Sequence, residues 1–370
     1  MKPDRLIVHQ FDPGRDVPGG INTCISDMVR YAPGGYSIAI AGVSDRAEDR
    51  LGDWTVRTLH GREIQFMPLA HLAPERQDRR VPHSVRVAAG LARFRRRIPR
   101  VLTQTHRVDL GAAAQSLLPR RETIQFVHTD TEKALEDGTD SLWRLAPRVY
   151  GLVEQVSLSK ARRVVAFSRR DAERLRRAGF PATSMRTWYD PELFYPAAPQ
   201  ANGVLRLAWV GRLEPPKAPE LAVETLAVLR RRGVDAKLTV VGDGTLRPAL
   251  ERLVAERGLD DLVTLAGKQP RRDTAEIVRA SRVLVMSSRF EGSPRALIES
   301  LACGIPVACT AESDPDGLVR TGETGAVGTD RSPGALAEAV LAAADASRAA
   351  CVDAVSDLRA PDAVARLLAA

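Results

Sequence analysis

The sequence predicts an α/β protein built from two doubly wound domains, in which helices cover both faces of a parallel sheet. Its 370 residues exceed what one hydrophobic core usually serves, and 44% of them are hydrophobic, which is ample for two cores. In both halves, short apolar runs of strand-like pattern alternate with segments of helical spacing. Between the halves, residues 196–203 are rich in proline and small residues and indicate a linker.

The predicted elements follow this alternation along the chain. In the first half, apolar runs predict strands at 6–9, 37–41, 123–127 and 163–167, and a helix over 169–178. The second half predicts strands at 205–210, 237–241, 262–265, 282–286 and 306–309, and helices over 219–232, 246–257, 274–280 and 294–302. A short last helix is expected over 361–370. The predicted divisions are 1–195, the linker 196–203, 204–350 and a terminal segment 351–370.

Composition and charge exclude several classes of protein. The formal net charge of +8 is compatible with nucleic-acid binding, but the aromatic content of 5% and the lack of a recognition motif argue against a nucleic-acid partner. No stretch approaches about 18 uninterrupted apolar residues, so we expect neither a transmembrane span nor a secretory signal. The four cysteines have no metal-ligand or redox spacing and are expected to be reduced thiols in a cytoplasmic protein.

Two acids frame the loop and helix that follow the predicted strand 282–286. Ser293 is a good N-cap and Pro294 suits the first helical position, so the amides of 292–296 should point out of the helix start. Amides arranged in this way bind phosphate. Glu291 stays on the loop, whereas Glu299 lies about a turn and a half into the helix. Carboxylates beside an anion site indicate a sugar nucleotide, because its hydroxyls need acceptors and its phosphates need donors.

A second motif follows the predicted strand 205–210. Gly211 ends the strand, and Arg212 and Lys217 lie in the loop after it. Two cations at a strand's carboxyl end can neutralise a diphosphate, with a planar fork from arginine and a point charge from lysine. The alternative is that both are ordinary surface charges of a loop. Their occurrence together with the acid pair favours a diphosphate site.

With both motifs present, the chain resembles the retaining nucleotide-sugar glycosyltransferases of family 4, which share the Glu-x7-Glu spacing of Glu291 and Glu299. The resemblance implies two Rossmann-like domains facing across a cleft, the glycosyltransferase B fold. The N-terminal domain would bind the acceptor and the C-terminal one the donor, and the last helix would cross back to the N-terminal domain.

The resemblance also assigns roles at the donor. Arg212 and Lys217 would grip the diphosphate, Glu291 the sugar hydroxyls and Glu299 the ribose. The segment carrying the phosphate-binding amides comprises Gly292, Ser293, Pro294 and Arg295. It further implies transfer with retention from a UDP- or GDP-sugar to a hydroxyl acceptor, with no protein nucleophile, no cofactor and no metal.

Further positions match the family less specifically. Gly19 and Gly20 open a helix after the first strand, where family members carry a Gly-Gly loop near the donor phosphates. Gly242 lies at another strand end, where a plain turn is an equal alternative. Lys268 corresponds to a residue whose backbone meets the nucleotide base. His128 matches a histidine that touches the transferred sugar, although a structural histidine is an equal alternative.

Asp130, two residues after His128, is a candidate acceptor contact. Alternatives in another class are a sugar-nucleotide epimerase or hydrolase, in which His128 or Asp130 would be the base, and a binding protein without activity. The family's Pro-Asn-Gly-Val-Asp turn is missing at 186–190, although Asp190 and Phe194 persist, so no ligand contact is carried over there.

A basic segment over 76–100 combines arginines with apolar residues at helical spacing, Leu91, Phe94 and Ile98. Such a segment can rest on an anionic bilayer, and related enzymes reach lipid-linked acceptors in this way. The alternative is a solvated arginine-rich helix. We therefore expect a cytoplasmic enzyme of bacterial polysaccharide, glycolipid or metabolite glycosylation, peripheral at the inner membrane face. The arginines are Arg76, Arg79, Arg80, Arg86, Arg93, Arg95, Arg96, Arg97 and Arg100.

Overall fold

The computed structural model describes residues 2–15, 19–72, 83–128, 147–196 and 203–369. These residues contain two β-sheets whose strands are mainly parallel. The chain divides into two units, each with its own sheet. Among the described residues, unit 1 comprises 2–15, 19–72, 83–128, 147–186 and 364–369, and unit 2 comprises 187–196 and 203–363. Among the described residues, no helix has both the length and the apolar character that a membrane crossing requires.

Unit 1 contains an eight-stranded sheet in the order β3-β4-β2-β1-β5-β6-β7-β8. The strands are β1 Arg5–Val8, β2 Ile38–Ser44, β3 Thr55–Leu59, β4 Arg62–His71, β5 Leu102–Thr105, β6 Thr123–Val127, β7 Arg163–Ala166 and β8 Ala182–Ser184. Its described helices are α1 Gly20–Tyr31, α2 His83–Phe94, α3 Val108–Leu117, α4 Pro147–Ser159 and α5 Arg169–Arg177. Only the β3–β4 pair is antiparallel among the described strand pairs.

The apolar runs predict the central strands of unit 1 because both faces of a parallel sheet are covered. All residues of β1 and β2 are buried, as are those of β6. The sequence analysis did not predict β3, β4, β5 or β8. Of these, β5 reads Leu-Thr-Gln-Thr and carries no apolar pattern. Its polar side chains are nevertheless buried, and Gln104 and Thr105 form hydrogen bonds to Arg5 and Gln125 on the neighbouring strands. A buried polar strand of this kind has the composition of a loop.

The structure corrects the interpretation of the basic segment. Within its described part, Leu91 and Ile98 are buried in the core of unit 1, and Phe94 packs against that core. Gly90 brings α2 against β4, since a Cβ at this position would lie 2.2 Å from the Leu69 carbonyl oxygen. The apolar side is therefore not available to a bilayer, and exposed arginines remain: Arg93, Arg95, Arg96, Arg97 and Arg100. Arg76, Arg79 and Arg80 lie outside the described residues.

Unit 2 contains a six-stranded parallel sheet in the order β11-β10-β9-β12-β13-β14. The strands are β9 Leu205–Val210, β10 Ala236–Val241, β11 Val263–Gly267, β12 Val283–Met286, β13 Val307–Cys309 and β14 Gly325–Val327. Its helices are α6 Pro219–Arg231, α7 Arg247–Glu256, α8 Arg271–Arg279, α9 Arg295–Ala302, α10 Pro333–Ala344 and α11 Arg348–Asp353, and a last helix, α12 Ala360–Ala369, begins in this unit. The predicted strands agree within about two residues, and β14 was missed because its Gly-Ala-Val run is too short to show a pattern.

The division between the units differs from the predicted one. Tyr189 and Phe194 are buried in a hydrophobic cluster of unit 2, and the Tyr189 N–H donates to the Leu358 carbonyl within the same unit. Packing therefore places residues 187–196 in unit 2 instead of at the end of an N-terminal domain. Most of the predicted linker lies outside the described residues. The end of α12, from Val364, is grouped with unit 1.

Candidate active site

The sheet of unit 2 reverses its winding between two neighbouring strands, β9 and β12. β9 pairs on one side with β10, the next strand in the chain, and on the other with β12. At such a reversal the loops after the two strands diverge, and ligands of doubly wound domains bind at the carboxyl ends there. Gly211 and Arg212 follow β9, and Glu291 follows β12. The fold therefore brings both sequence motifs to one position.

Lys217 and Glu291 form an ion pair at this position. The Lys217 Nζ donates to Glu291 Oε1 at 2.5 Å, and the side chains are 26% and 11% exposed. The Ser288 hydroxyl donates to the same oxygen at 2.7 Å. An ammonium group has three donors, so Lys217 can keep this bond and still donate to a phosphate oxygen. A cation and a carboxylate side by side suit a ligand that carries phosphate and hydroxyl groups together.

Buried polar contacts hold the two loops in place. Ser287, directly after β12, donates its hydroxyl to the Ala218 carbonyl at 2.8 Å and accepts from Trp209 Nε1 at 2.9 Å. Arg331 donates to the Ser288 carbonyl at 2.7 Å and to the Ser287 carbonyl at 3.1 Å. The Ser287 bonds tie the strand end that precedes Glu291 to β9 and to the loop that carries Lys217, and Arg331 anchors the same strand end. A preorganised pair of this kind loses little conformational entropy when a ligand binds.

Gly242 allows the ends of β9 and β10 to pack closely. Its φ of 134° favours glycine, and a Cβ at this position would lie 1.8 Å from the Gly211 carbonyl oxygen. The Gly211 N–H donates to Val241, and the Gly242 N–H to Gly267. The glycine is required by packing at the strand ends, which brings the loop with Arg212 into position. Arg212 itself is exposed.

The helix after Glu291 begins differently from the prediction. Ser293 is not the N-cap, because α9 starts at Arg295 and Pro294 occupies the cap position without a side-chain bond. The Ser293 hydroxyl instead accepts from the Thr187 N–H at 2.9 Å and contacts the Thr187 hydroxyl at the same distance. The N–H groups in the first turn of α9 still lack partners within the helix, as at every helix start. The Arg295 guanidinium donates to the Trp188 carbonyl at 2.8 Å.

Glu299 lies on α9 and is 7% exposed. Arg271, at the start of α8, is placed 3.2 Å from its Oε1. The Arg271 Cζ also lies over the Phe194 ring, 5.7 Å from the ring centre. Phe194 itself is buried in the core of unit 2. Lys268 is exposed directly after β11. Arg271 was not identified from the sequence.

In unit 1, a cluster of histidines lies at the carboxyl ends of β1, β5 and β6. His9 follows β1, His106 follows β5 and His128 follows β6. His106 Nδ1 and His128 Nε2 are 2.8 Å apart, and the His128 ring stacks on Phe167 with centres 4.5 Å apart. The winding of this sheet reverses between β1 and β5, so the cluster occupies the position where ligands of doubly wound domains bind. Only His128 was a sequence candidate.

The remaining candidates of unit 1 lie nearby in the chain. Gly19 precedes α1 with a φ of 143°, and Gly20 is its first residue. Around Gly20, no described atom lies within 4 Å of an added Cβ, so packing among the described residues does not require this glycine. Asp130 lies outside the described residues.

The same cluster contains a group of metal-type ligands that sequence spacing could not reveal. Cys24 on α1, His106 and His128 offer ligand atoms within 4.8 Å of one another. However, the two imidazole nitrogens that meet already share a hydrogen bond. Arg5 adds a positive charge that lowers the pKa of His106, after burial and the neighbouring histidines, and also disfavours a cation. The other cysteines are buried, and burial raises the pKa of Cys303 and Cys351 to about 12, so they remain thiols.

Burial of the histidines predicts that unit 1 loses stability in acid. Burial and the Arg107 charge lower the pKa of His9 to about 3 from 6.5, and burial lowers that of His106 well below 6.5. Above pH 6.5 both states leave these rings neutral, whereas below it only the unfolded chain gains their protons. Each neutral ring should therefore lower the free energy of unfolding by about 1.4 kcal/mol for every pH unit below 6.5.

The pH dependence is measured by urea unfolding at about pH 7 and about pH 5. In His9→Gln, the free energies of unfolding at the two pH values should differ by less than in the unchanged protein. The control His71→Gln, which replaces an exposed histidine, should behave as the unchanged protein does. An unchanged difference in His9→Gln would contradict the assignment.

Comparison with known proteins identifies unit 2. Residues 199–351 match the family model of Glycosyl transferases group 1. This segment is a glycosyl transferases group 1 domain. Alpha-D-kanosaminyltransferase of Streptomyces kanamyceticus is 32% identical over 119 residues, covering 32% of this chain and 31% of the relative. D-inositol 3-phosphate glycosyltransferase of Frankia alni is 33% identical over 141 residues, covering 36% and 35%. The matches span about a third of these relatives.

Solved structures match over nearly the whole chain. Sucrose-phosphate synthase from Thermosynechococcus elongatus superimposes with a TM-score of 0.80 at 20% identity, over 99% of this chain and 97% of that one. Anabaena HepE in complex with UDP and glucose gives 0.74 at 15% identity, over 99% and 98%. The predicted fold class, two Rossmann-like domains of the glycosyltransferase B fold, is confirmed.

The group 1 domain contains the whole Lys217–Glu291 arrangement. Sequence reasoning identified both members of the ion pair but missed Ser287, Ser288 and Arg331, which hold the loops. The two serines directly follow a predicted strand, which was the available signal. Arg331 lies 43 residues from Ser288 and has no neighbouring motif.

Proposed function

We propose that the protein transfers a sugar from a UDP- or GDP-sugar to a hydroxyl acceptor, with retention of the anomeric configuration. The observation that carries the proposal is the Lys217–Glu291 pair at the winding reversal of a group 1 domain. A lone cation would suit any phosphate, and a lone carboxylate any polyol. Their contact at 2.5 Å suits a molecule in which sugar and diphosphate are joined.

In this proposal, charge stabilisation drives the reaction. Arg212 and Lys217 neutralise the diphosphate and stabilise the charge that develops as the nucleotide leaves, which is usually the largest catalytic contribution. Glu291 accepts hydrogen bonds from the sugar hydroxyls and Glu299 from the ribose. The amides of Gly292, Ser293 and Arg295 bind phosphate oxygens, while Pro294 shapes the turn. The acceptor hydroxyl attacks from the face that the nucleotide leaves, and the phosphate takes its proton.

Additional contacts complete the proposed donor site. The backbone at Lys268 binds the base, and Gly211 and Gly242 shape the strand ends. In unit 1, Gly19 and Gly20 let the backbone approach the phosphates, and His128 contacts the transferred sugar. Asp130 is the proposed acceptor contact. HepE has been crystallised with UDP and glucose, which makes UDP-glucose the first donor to test.

The reaction is followed by proton NMR of the anomeric signals with UDP-glucose and a panel of hydroxyl acceptors. The proposal predicts a glycoside with the α-configuration of the donor. An inverted product would contradict retention. Free glucose released at the same rate with and without acceptor would instead identify a hydrolase, and a changed sugar still attached to UDP an epimerase.

We also propose that no metal or other cofactor takes part. The guanidinium of Arg212 and the ammonium of Lys217 supply the positive charge that a divalent ion would bring to the diphosphate. Turnover should therefore be unchanged in excess EDTA. Loss of activity that manganese restores would contradict this prediction.

The exposed arginines suggest a contact with the inner, anionic face of the cytoplasmic membrane, where a lipid-linked acceptor of polysaccharide or glycolipid synthesis would be found. Because Val87 and Leu91 of α2 are buried and Phe94 packs against the core, we expect this contact to be mainly electrostatic and to weaken with salt. Flotation with anionic vesicles should recover the protein at low salt and lose it at high salt. Arg93→Glu combined with Arg96→Glu should weaken the binding, whereas equal recovery with neutral vesicles would contradict it.

A further inference from the structure

A chain of hydrogen bonds runs through the core of unit 1 and ends at His128. Arg5 on β1 donates from Nη1 to Gln104 Oε1 at 2.9 Å. Gln104 Nε2 lies 2.7 Å from His106 Nε2, and His106 Nδ1 lies 2.8 Å from His128 Nε2. Arg5 and Gln104 are fully buried and His106 is 2% exposed. These side chains keep their order because β1, β5 and β6, which carry or precede them, are neighbours in the sheet.

The chemistry of Arg5 fixes the direction of every bond in this chain. A guanidinium can only donate, so the Gln104 atom facing it is the carbonyl oxygen and the other is the amide NH2. The amide donates to His106 Nε2, which must accept. A neutral His106, consistent with its lowered pKa, therefore carries its proton on Nδ1 and donates it to His128. His128 Nε2 then accepts, and the proton of its ring is on Nδ1.

We propose that Arg5, Gln104 and His106 are positioning residues that hold His128 as the neutral tautomer protonated at Nδ1. In this form His128 carries its one N–H donor at Nδ1 and has no basic nitrogen. Protonation of Nε2 would set two donors against each other. The role toward the sugar rests on the proposed function, in which the N–H donates to a hydroxyl oxygen of the transferred sugar. The tautomer itself does not depend on that function.

The surroundings hold the ring in this orientation. The His106 and His128 rings are within 24° of coplanar with centres 5.0 Å apart, so they meet edge to edge as an in-line hydrogen bond requires. The face of His128 stacks on Phe167, and His106 lies against Phe126. The titratable neighbours of His106 are His9, with ring centres 5.8 Å apart, the Arg5 guanidinium, the Cys24 thiol and His128.

The tautomer is read by long-range 1H–15N correlation NMR of the full-length, 15N-histidine-labelled protein without ligand. His128→Gln assigns the signals. The expected result is a protonated-type Nδ1 and an unprotonated Nε2 for both His106 and His128. A His128 protonated at Nε2, or a doubly protonated His128, would overturn the proposal. A change in the 15N chemical shifts of both rings on addition of equimolar zinc would also overturn it, because the nitrogen lone pairs would then be available to a metal.

Gln104→Met tests the relay at a position that does not touch the substrate. Without the amide donor both tautomers of His106 become allowed, so the His128 signals should move toward the average of two tautomers. Turnover should fall roughly fivefold to tenfold, because one oriented hydrogen bond to the sugar is lost, whereas the affinity for UDP should not change. Gln125→Met, which removes a buried glutamine outside the relay, should leave the His128 tautomer unchanged.

Separate outcomes distinguish the inference from the proposed function. If Gln104→Met mixes the tautomers but keeps full turnover, His128 does not donate to the sugar and the positioning role is wrong. If the unchanged protein transfers no sugar while NMR shows both rings protonated at Nδ1, the proposed function fails and the assigned tautomer stands. Should Gln104→Met fail to fold, the spectrum of the unchanged protein still decides the tautomer.

Discussion

Lys217→Ala and Glu291→Ala should each remove most of the sugar-transfer activity while the fold survives. Lysine supplies charge to the leaving diphosphate, and removing one such stabilising group costs about 10²–10³-fold in turnover. Glu291 both holds the Lys217 ammonium and, in the proposal, binds the sugar, so its removal should be at least as harmful. Steady-state rates measure the loss, and circular dichroism with thermal unfolding shows that the fold is retained.

Matched variants separate the site from general effects of charge. Lys237→Ala removes an exposed lysine from β10, and Glu338→Ala removes an exposed acid that pairs with Arg232. Both should keep full activity. Glu291→Gln keeps the size of the side chain but loses the charge that orients Lys217, and it should fall between the unchanged protein and Glu291→Ala. Full activity in Lys217→Ala would refute the assignment of the site.

Gly242→Ala should destabilise unit 2 by roughly 3–5 kcal/mol, because it combines a backbone conformation unfavourable to alanine with a steric clash. The added Cβ would lie 1.8 Å from the Gly211 carbonyl oxygen, a distance that only movement of the backbone can relieve. That movement would shift the loop carrying Arg212. Urea unfolding should show the lost stability, and nucleotide binding by the remaining folded protein should weaken.

Gly233→Ala is the matched control for this change. Gly233 also has a positive φ, 78°, but no atom of the described residues lies within 4 Å of its added Cβ. This variant should lose only about 1 kcal/mol of stability, because alanine is less favourable than glycine in a left-handed backbone conformation. Equal losses in the two variants would show that the contact between the strand ends is not what requires Gly242.

Sequence reasoning succeeded where apolar runs lie in a parallel sheet covered on both faces. β9 and β6 were predicted with their observed bounds, since most of their residues are apolar and buried. It failed at β5, whose polar side chains are satisfied by partners far away in the chain, such as Arg5, 99 residues from Gln104. A single sequence carries no signal for such a pairing. Ser293 shows the same limit, because its hydroxyl is used by Thr187, 106 residues away, instead of by its own helix.

The candidate site was predictable where chemistry and local position coincide. Lys217 and Glu291 are charged residues in the loops that follow two predicted strands, and the fold brings them into contact. The supporting residues were not predictable, because Ser287 and Arg331 act through backbone carbonyl groups, which any polar residue could contact. The histidine cluster was found only in part, since Cys24, His106 and His128 come from separate elements of unit 1.

The most direct test of the account is a thermal-shift and ligand-NMR screen against UDP-, GDP-, ADP- and dTDP-sugars. It uses the unchanged protein, Arg212→Ala and the control Arg232→Ala, an exposed arginine paired with Glu338. We expect that one nucleotide series stabilises the protein, that Arg212→Ala abolishes this effect and that Arg232→Ala keeps it. No stabilisation by any of them, or equal stabilisation of Arg212→Ala, would contradict a diphosphate site at the end of β9.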